Sequence, residues 1–368
     1  MKQLTSHRVQ GFKSTEITSF FTKARGLVHP VDLSIGVPYG EMTSLARDAA
    51  IMALHEGKTR YTPVGGPAEL RAAIADKLVT QNGIPATLET TIVTAGVSAG
   101  LFLGMAAILN PGDEVIIPDP FFLAYRELPQ IVDAKAVFLD TYPTFQIDPK
   151  KLRAAITPRT KMLILNSPNN PSGVVYGEEL LTEIAAICSE HELVVISDEV
   201  YEDIIYDRAH ISIGAFYPHT ITLNGFSKNH AMTGLRVGYA HSTPEIIKAM
   251  IELEQFVFFA NSSIAEYAAL AAIELPTAEA MKHYRKNRDY ILDNLSPKYL
   301  RSAGDGSFFF FLKHPHLSGS EFSELAMKSE LIVIPGKFFS LNDEYFRISY
   351  AVPTKVLAQG IEILNDLV

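Results

Sequence analysis

Leu193-Val194-Val195-Ile196-Ser197-Asp198-Glu199-Val200-Tyr201 is a short apolar run that ends in two acids. A strand that is apolar at successive positions is covered on both faces, the habit of a parallel sheet buried between helices. The acids then stand at its carboxyl end, where α/β sheets collect ligands. Reading outward, further β-branched runs predict strands at 91–94, 114–117, 136–139, 161–166, 220–224 and 237–241. Helical patterns, such as 98–109 and 178–190, separate them, so the alternation predicts a doubly wound α/β layer. Beyond Pro244 the pattern changes to long amphipathic helices at 245–259, 265–272 and 277–295, then strands near 307–312, 332–334 and 345–349. This predicts a smaller α+β domain.

Composition narrows the function. The 368 residues are 47% hydrophobic and 20% charged, the habit of a globular chain. The charges sum to 32 − 41 = −9, which disfavours a phosphate-neutralising nucleic-acid surface. No repeat predicts a solenoid. The N-terminal stretch has no apolar signal core and no later stretch reaches membrane-spanning length, so a soluble, cytoplasmic protein without membrane partner is expected. The single cysteine, Cys188, sits within a helical pattern and is expected to be a core thiol. The eleven histidines are scattered without ligand spacing, so no metal is expected.

The strand ends carry the chemistry. The strand at 220–224 runs into Asn224-Gly225-Phe226-Ser227-Lys228, followed by Gly234-Leu235-Arg236. A lysine among apolar neighbours and an arginine has a depressed pKa, as a Schiff-base lysine needs. Asp198 requires a cationic partner if buried, and a pyridinium nitrogen would serve, kept protonated so that the ring accepts electrons. Ser167-Pro168-Asn169-Asn170-Pro171-Ser172-Gly173 presents Asn170 at the same edge, able to donate to a phenolic oxygen. Thr94-Ala95-Gly96-Val97-Ser98 joins a strand to a helix and offers free backbone N–H groups to a phosphate. It lacks the G-x-G-x-x-G spacing, so a dinucleotide is the weaker reading.

Taken in order, Asp32-Leu33-Ser34-Ile35-Gly36, Tyr61-Thr62-Pro63-Val64-Gly65-Gly66, the Asn166–Gly173 segment, Ser197–Tyr201, Ser227-Lys228 and Phe346-Arg347-Ile348-Ser349-Tyr350 resemble the class I/II aminotransferases that depend on pyridoxal 5′-phosphate (PLP). The resemblance implies fold type I: a large domain at 30–250 with a mostly parallel seven-stranded sheet covered by helices, and a small α+β domain from 1–29 with 251–368. It implies that Lys228 carries the cofactor and then moves the substrate proton. It sets Asp198 against the pyridine nitrogen with Tyr125 behind it, Tyr201 and Asn170 at the phenolic oxygen, and Phe122 on the ring face. Gly96, Val97, Ser98 and Arg236 are implied to hold the phosphate. Ser227 is read either as a further phosphate ligand or as a helix N-cap. Tyr61 is implied to reach the phosphate of the neighbouring subunit, hence a homodimer. Arg347, with Gly36 and Asn170, is implied to take the substrate α-carboxylate.

The implied reaction is ping-pong transfer of an amino group from an L-amino acid to a 2-oxo acid. The same residues would also serve a PLP lyase, such as a C–S β-lyase, and a third reading is a retired sensor on this fold. The chain departs from the family at Tyr39-Gly40-Glu41-Met42-Thr43-Ser44, in the tail after Phe338-Phe339, and at Leu235. No second arginine for an acidic side chain is evident. A roomier apolar or aromatic substrate pocket is expected, on the strength of Tyr39, Phe121, Phe256, Phe258 and Phe259.

Overall fold

The computed structural model describes residues 4–12, 14–275 and 278–368. A two-residue strand, β1 (Val31–Asp32), precedes seven that form the principal sheet. These are β2 (Thr91–Thr94), β3 (Glu114–Asp119), β4 (Lys135–Asp140), β5 (Thr160–Asn166), β6 (Val194–Asp198), β7 (Thr220–Gly225) and β8 (Gly238–His241). Their order is β2-β8-β7-β6-β5-β3-β4. Every pair is parallel except the two made by β8. The seven-stranded, mostly parallel sheet expected from the alternation is thus the one that forms.

Its helices cover both faces. On one side Ile92, Leu101, Met105, Ile117, Ile164, Ile196 and Ile221 share a cluster with Ile247 and Met250. On the other, Leu163, Leu165 and Val195 pack with Leu181, Ile184 and Cys188 of helix Glu178–Glu190. Such two-sided burial is why β5 and β6 carry continuous apolar runs.

The tail builds a second sheet. Strands β9 (Leu300–Arg301), β10 (Phe309–Lys313), β11 (Leu331–Ile332), β12 (Ile334–Pro335) and β13 (Tyr345–Ser349) follow in the chain. Four of them pair in the order β12-β13-β10-β9, all antiparallel. The single strand expected at 332–334 is divided in two. Residues before Val333 pair with β1 and those after it with β13, because the chain leaves one sheet for another at that point. Helices Ala278–Asn294, Gly319–Lys328 and Thr354–Asp366 bury Tyr284, Ile291, Phe322, Leu357, Ile361 and Leu364 against this sheet. The expected start of the first of these, at Thr277, lies outside the described residues.

Helix Ser263–Ala272 packs elsewhere. Ala265, Ala268, Ala269 and Ala272 join Val93, Phe226, Val237 and Tyr239, so this helix is seated on the principal layer despite following the change in pattern. Among the described residues no helix is long and apolar enough to cross a membrane.

Candidate active site

Strands β5, β6 and β7 are adjacent, so the residues that follow their carboxyl ends converge. Asp198, the last residue of β6, is buried. Its Oδ2 accepts a 2.6 Å hydrogen bond from the Tyr125 hydroxyl and its Oδ1 a 3.3 Å bond from the Val200 amide. Among the described residues no cationic side chain lies within ion-pair distance of it. Burial pushes its pKa up to about 6, with Glu199 adding to the effect and Tyr125, the Val200 amide and Lys228 opposing it. The Asn166 amide side chain ties the two strand ends, donating to the Asp198 carbonyl at 3.0 Å and accepting the Asn170 N–H at 2.8 Å.

Lys228 stands on the short helix Phe226–Asn229 that caps β7. Its Nζ donates to the Gly36 carbonyl at 2.6 Å and lies 5.9 Å from the centre of the Tyr201 ring. Burial lowers its pKa to about 8, with Arg347 and Arg236 adding and Asp198 opposing. A larger neutral fraction near neutral pH is what a nucleophilic or proton-moving amine requires. Asn170 hydrogen-bonds the Tyr201 phenol, whose pKa burial pushes up.

An anion seat lies at the start of helix Val97–Ile108. Gly96 precedes it with φ +78, and a Cβ there would sit 2.5 Å from Nη2 of Arg236. Only glycine allows that guanidinium so close to the helix N-terminus, where the first amides lack intrahelical partners. Arg236 itself adopts the left-handed conformation, φ +54, and its Nη1 donates to the Thr233 carbonyl at 3.1 Å. Gly238 presses β8 against the same turn, since a Cβ on it would meet the Val97 nitrogen at 2.6 Å. Ser227 is buried and lines the same cavity.

The opposite wall is Arg347 of β13. Nη1 donates to Asn170 Oδ1 at 2.9 Å and Nη2 to the Ser34 carbonyl at 2.8 Å, while Nε has no partner. Phe309 and Phe339 hold the guanidinium from two sides, their ring centres 4.3 and 4.5 Å from it. Burial lowers its pKa to about 10, which leaves it a cation at neutral pH. The Ser34 carbonyl arrives through β1, whose extension bonds β11 and β13 by way of Leu33.

These groups share a cavity of about 390 Å³, lined also by Ile17, Phe21, Val37, Phe122, Phe338 and Phe339. Of the expected residues, Gly36, Val97, Ser98, Phe122, Asn170, Asp198, Tyr201, Ser227, Lys228, Arg236 and Arg347 line it, with Gly96 just behind Arg236. Tyr61 does not; it is 81% exposed and packs edge-on against Phe259.

The expected aromatic lining must be corrected. Phe256, Phe258 and Phe259, at and just beyond the end of helix Pro244–Val257, are exposed and do not line this subunit's own cavity. Phe121 is buried against Phe138, and Tyr39 stacks on His283 at 3.6 Å. The apolar side chains that do line it include Ile17 and Phe21, one turn apart on helix Ser14–Ala24. Their i, i+4 spacing was the available signal, but it marks any amphipathic helix.

A wholly buried carboxylate without a cation, a primary amine of depressed pKa, a helix-start anion seat and a carboxylate-ready arginine together fit pyridoxal phosphate. The fold and site therefore define a PLP enzyme of fold type I. The sequence matches the family described as aminotransferase class I and II over residues 28–364, and the chain belongs to that family. It is 37% identical over 373 residues to the aspartate/prephenate aminotransferase of Thermus thermophilus, covering 97% of each chain. It is 33% identical over 379 residues to aromatic-amino-acid aminotransferase 2 of Thermococcus litoralis, covering 98% of this chain and 97% of the relative. Among solved structures, the Thermus thermophilus aspartate aminotransferase with maleate superposes with a TM-score of 0.95 at 36% identity over 100% of both chains. The protein is a PLP-dependent aminotransferase acting on amino acids and 2-oxo acids.

Proposed function

We propose that this aminotransferase works with Lys228 as its cofactor-bearing and proton-moving amine and that it favours aromatic or large apolar amino acids. The observation that carries the assignment is the Lys228 amine, buried at the Gly36 carbonyl in the cavity shared by Asp198 and Arg347. When bound, PLP supplies a carbonyl that condenses with amines and a ring that accepts the electron pair left by the departing Cα proton. Asp198 holds a proton at the ring nitrogen. Tyr201 and Asn170 donate to the phenolic oxygen, Phe122 covers the ring, and Gly96, Val97, Ser98, Ser227 and Arg236 hold the phosphate. Arg347 binds the substrate carboxylate, exchanging its bonds to Ser34 and Asn170 for it, with Gly36 and Asn170 beside it. Fixing the carboxylate aims the Cα–H at Lys228.

The substrate preference is supported by Ile17, Phe21, Val37, Phe338 and Phe339 around the cavity. Among the described residues the cations lining it are Lys228, Arg236 and Arg347, each already assigned. A panel of amino donors against 2-oxoglutarate tests it. Phenylalanine, tyrosine, methionine and leucine should exceed aspartate in kcat/KM, and F256S, at a site 86% exposed, should not change that order. A large excess for aspartate would remove the preference.

The exposed Tyr61, packed on exposed Phe259, supports a homodimer in which Tyr61 reaches the neighbouring phosphate. We assign the protein to the cytoplasm on its lone buried thiol, Cys188. Residues 30–250 are proposed as the large domain, with the rest of helix Pro244–Val257 and helix Ser263–Ala272 added to it, and the remainder as the small one, to which β1 with Leu33 and Ser34 is given, because β1 pairs with β11 and Leu33 bonds β13.

A further inference from the structure

Next to Tyr61 in the chain, Thr62 Oγ1 is buried without a close hydrogen bond, as are Asn261 Oδ1 and both carboxylate oxygens of Glu266, while Thr62 and Asn261 both face Glu266. Glu266, on helix Ser263–Ala272, and Glu254, on helix Pro244–Val257, are both buried. Asn261 lies between these helices. Its Nδ2 is committed to the Val93 carbonyl at 3.0 Å, with a longer 3.4 Å contact to Glu254 Oε1. That commitment fixes the amide's orientation and leaves its oxygen needing a donor. Even with the Thr62 hydroxyl facing Glu266, acceptor oxygens around Asn261 and the two carboxylates outnumber the donor hydrogens while both acids are charged.

Glu254 grips the segment that presents Tyr61, and Glu266 faces Thr62 of that segment. Glu254 Oε2 accepts the Gly65 N–H at 3.0 Å. The Gly65 carbonyl accepts the Val93 N–H at 2.9 Å, which fastens the segment to the edge strand β2. Gly66 is pressed against Val93, where a Cβ would come within 2.5 Å of Cγ2, and Tyr61 packs on Phe259 at the end of the Glu254 helix.

We propose that Glu254 and Glu266 are positioning residues for Tyr61–Gly66, a proton-holding pair whose neutral form clamps that segment to the sheet edge. The functional part of this proposal rests on the reading of Tyr61 as reaching the neighbouring phosphate.

The surroundings offer no other neutralising charge. Among the described residues no lysine, arginine or histidine lies within ion-pair distance of either acid. Helix Val97–Ile108 and β2 carry no titratable side chain. Glu245, Lys248 and Glu252 on the helix of Glu254 are exposed, as are Arg47, Asp48 and His55 on helix Ser44–His55 and Glu69 and Asp76 on helix Ala68–Asn82. Arg71 is spent on the Leu88 and Thr91 carbonyls and Lys77 on Glu202. Lys58 pairs with Glu56 and lies over the Tyr267 ring. Burial raises both acids to about 7, with Glu266 adding to the shift of Glu254, and this outweighs the Gly65 N–H and Asn261 bonds to Glu254 and the Thr62 and Asn261 bonds to Glu266, which favour the charged forms. A carboxyl raised on folding contributes stability that is full below its unfolded pKa and lost as pH rises through the folded one. The clamp should therefore loosen between about pH 5 and 8.

The test uses the holoenzyme of wild type, E266Q, E266A and Y61F. Thermal stability and hydrogen exchange at the Gly65 and Gly66 amides, corrected for intrinsic base catalysis, are followed from pH 5.5 to 8.5. Wild type should lose several degrees of Tm and gain about tenfold in corrected exchange across that range, one pKa unit of clamp opening. E266Q, which donates and accepts as the neutral acid does, should be flat and protected throughout, whereas E266A should exchange fast at every pH. An unchanged pH response in E266Q overturns the pair. So does stabilisation of wild type at pH 8.5 by K⁺ or Na⁺ that E266Q abolishes, which would give the acceptors to a cation. Y61F should release PLP faster with Gly65 protection intact. If it does not release PLP faster, the reading of Tyr61 fails while the clamp stands on its own exchange data.

Discussion

The floor and the far wall of the cavity are built in opposite ways. The floor, Asn170, Asp198 and Lys228, comes from the ends of three neighbouring parallel strands, each delivering its residue within a few positions of the sheet. The wall, Gly36, Ser34 and Arg347 with Phe309 and Phe339, is collected from β1, β10, β13 and the loop after β12. The floor holds reactive groups at displaced pKa values, Lys228 down to about 8 and Asp198 up to about 6. The wall holds one permanent cation between two aromatic faces. On the proposed assignment, chemistry is lodged in the strand ends and substrate recognition in a surface assembled by the second sheet.

That division can be broken experimentally. K228A should lose turnover by at least ~10²–10⁴-fold, the range attributed to a positioned acid–base group. It should also retain no cofactor after borohydride reduction, read by intact mass. A wall substitution should behave differently. R347K loses the planar fork and the charged bonds it makes, worth roughly 1.5–3 kcal/mol. Its kcat/KM should fall about 10- to 150-fold while cofactor content, read by absorbance, stays at the wild-type level. If R347K emptied the protein of PLP, the two regions would not be separable.

The smallest effect sharpens the floor. In the apo protein the raised Asp198 carboxyl stabilises the fold below its unfolded pKa, and that contribution is lost as pH rises through about 6. A bound ring cation favours the charged form and reverses the loss. The rise in Tm on adding PLP should therefore be a few degrees greater at pH 7.5 than at pH 5, and D198N should flatten the difference. Equal rises in wild type at both pH values would place the ring nitrogen away from Asp198.

The contrast also accounts for what the sequence made legible. Asp198 and Lys228 could be read from residue types alone, because an acid or a lysine at the end of an apolar strand is costly to bury unless a partner charge or a reaction uses it. Arg347 and Gly36 came only through resemblance, since nothing local to Phe346-Arg347-Ile348 announces what lies across from it. The packing of Phe309 and Phe339 on Arg347 was not readable at all, as an aromatic run reads equally well as core. The substrate lining failed for the same reason: Phe256, Phe258 and Phe259 are apolar, but the turn of one helix end decides which way they face. Strands β11 and β12 were merged because a change of sheet at Val333 leaves no mark in hydrophobic pattern.

The anion seat has a consequence for biogenesis. It closes only where Gly96 after β2, Arg236 before β8 and Gly225 at the end of β7 are brought side by side. β2 is an edge strand whose partner is made far later in the chain. If this seat holds the phosphate as proposed, a nascent polypeptide that has completed only β3 to β7 still lacks it, and PLP capture is expected to follow the pairing of β8 with β2.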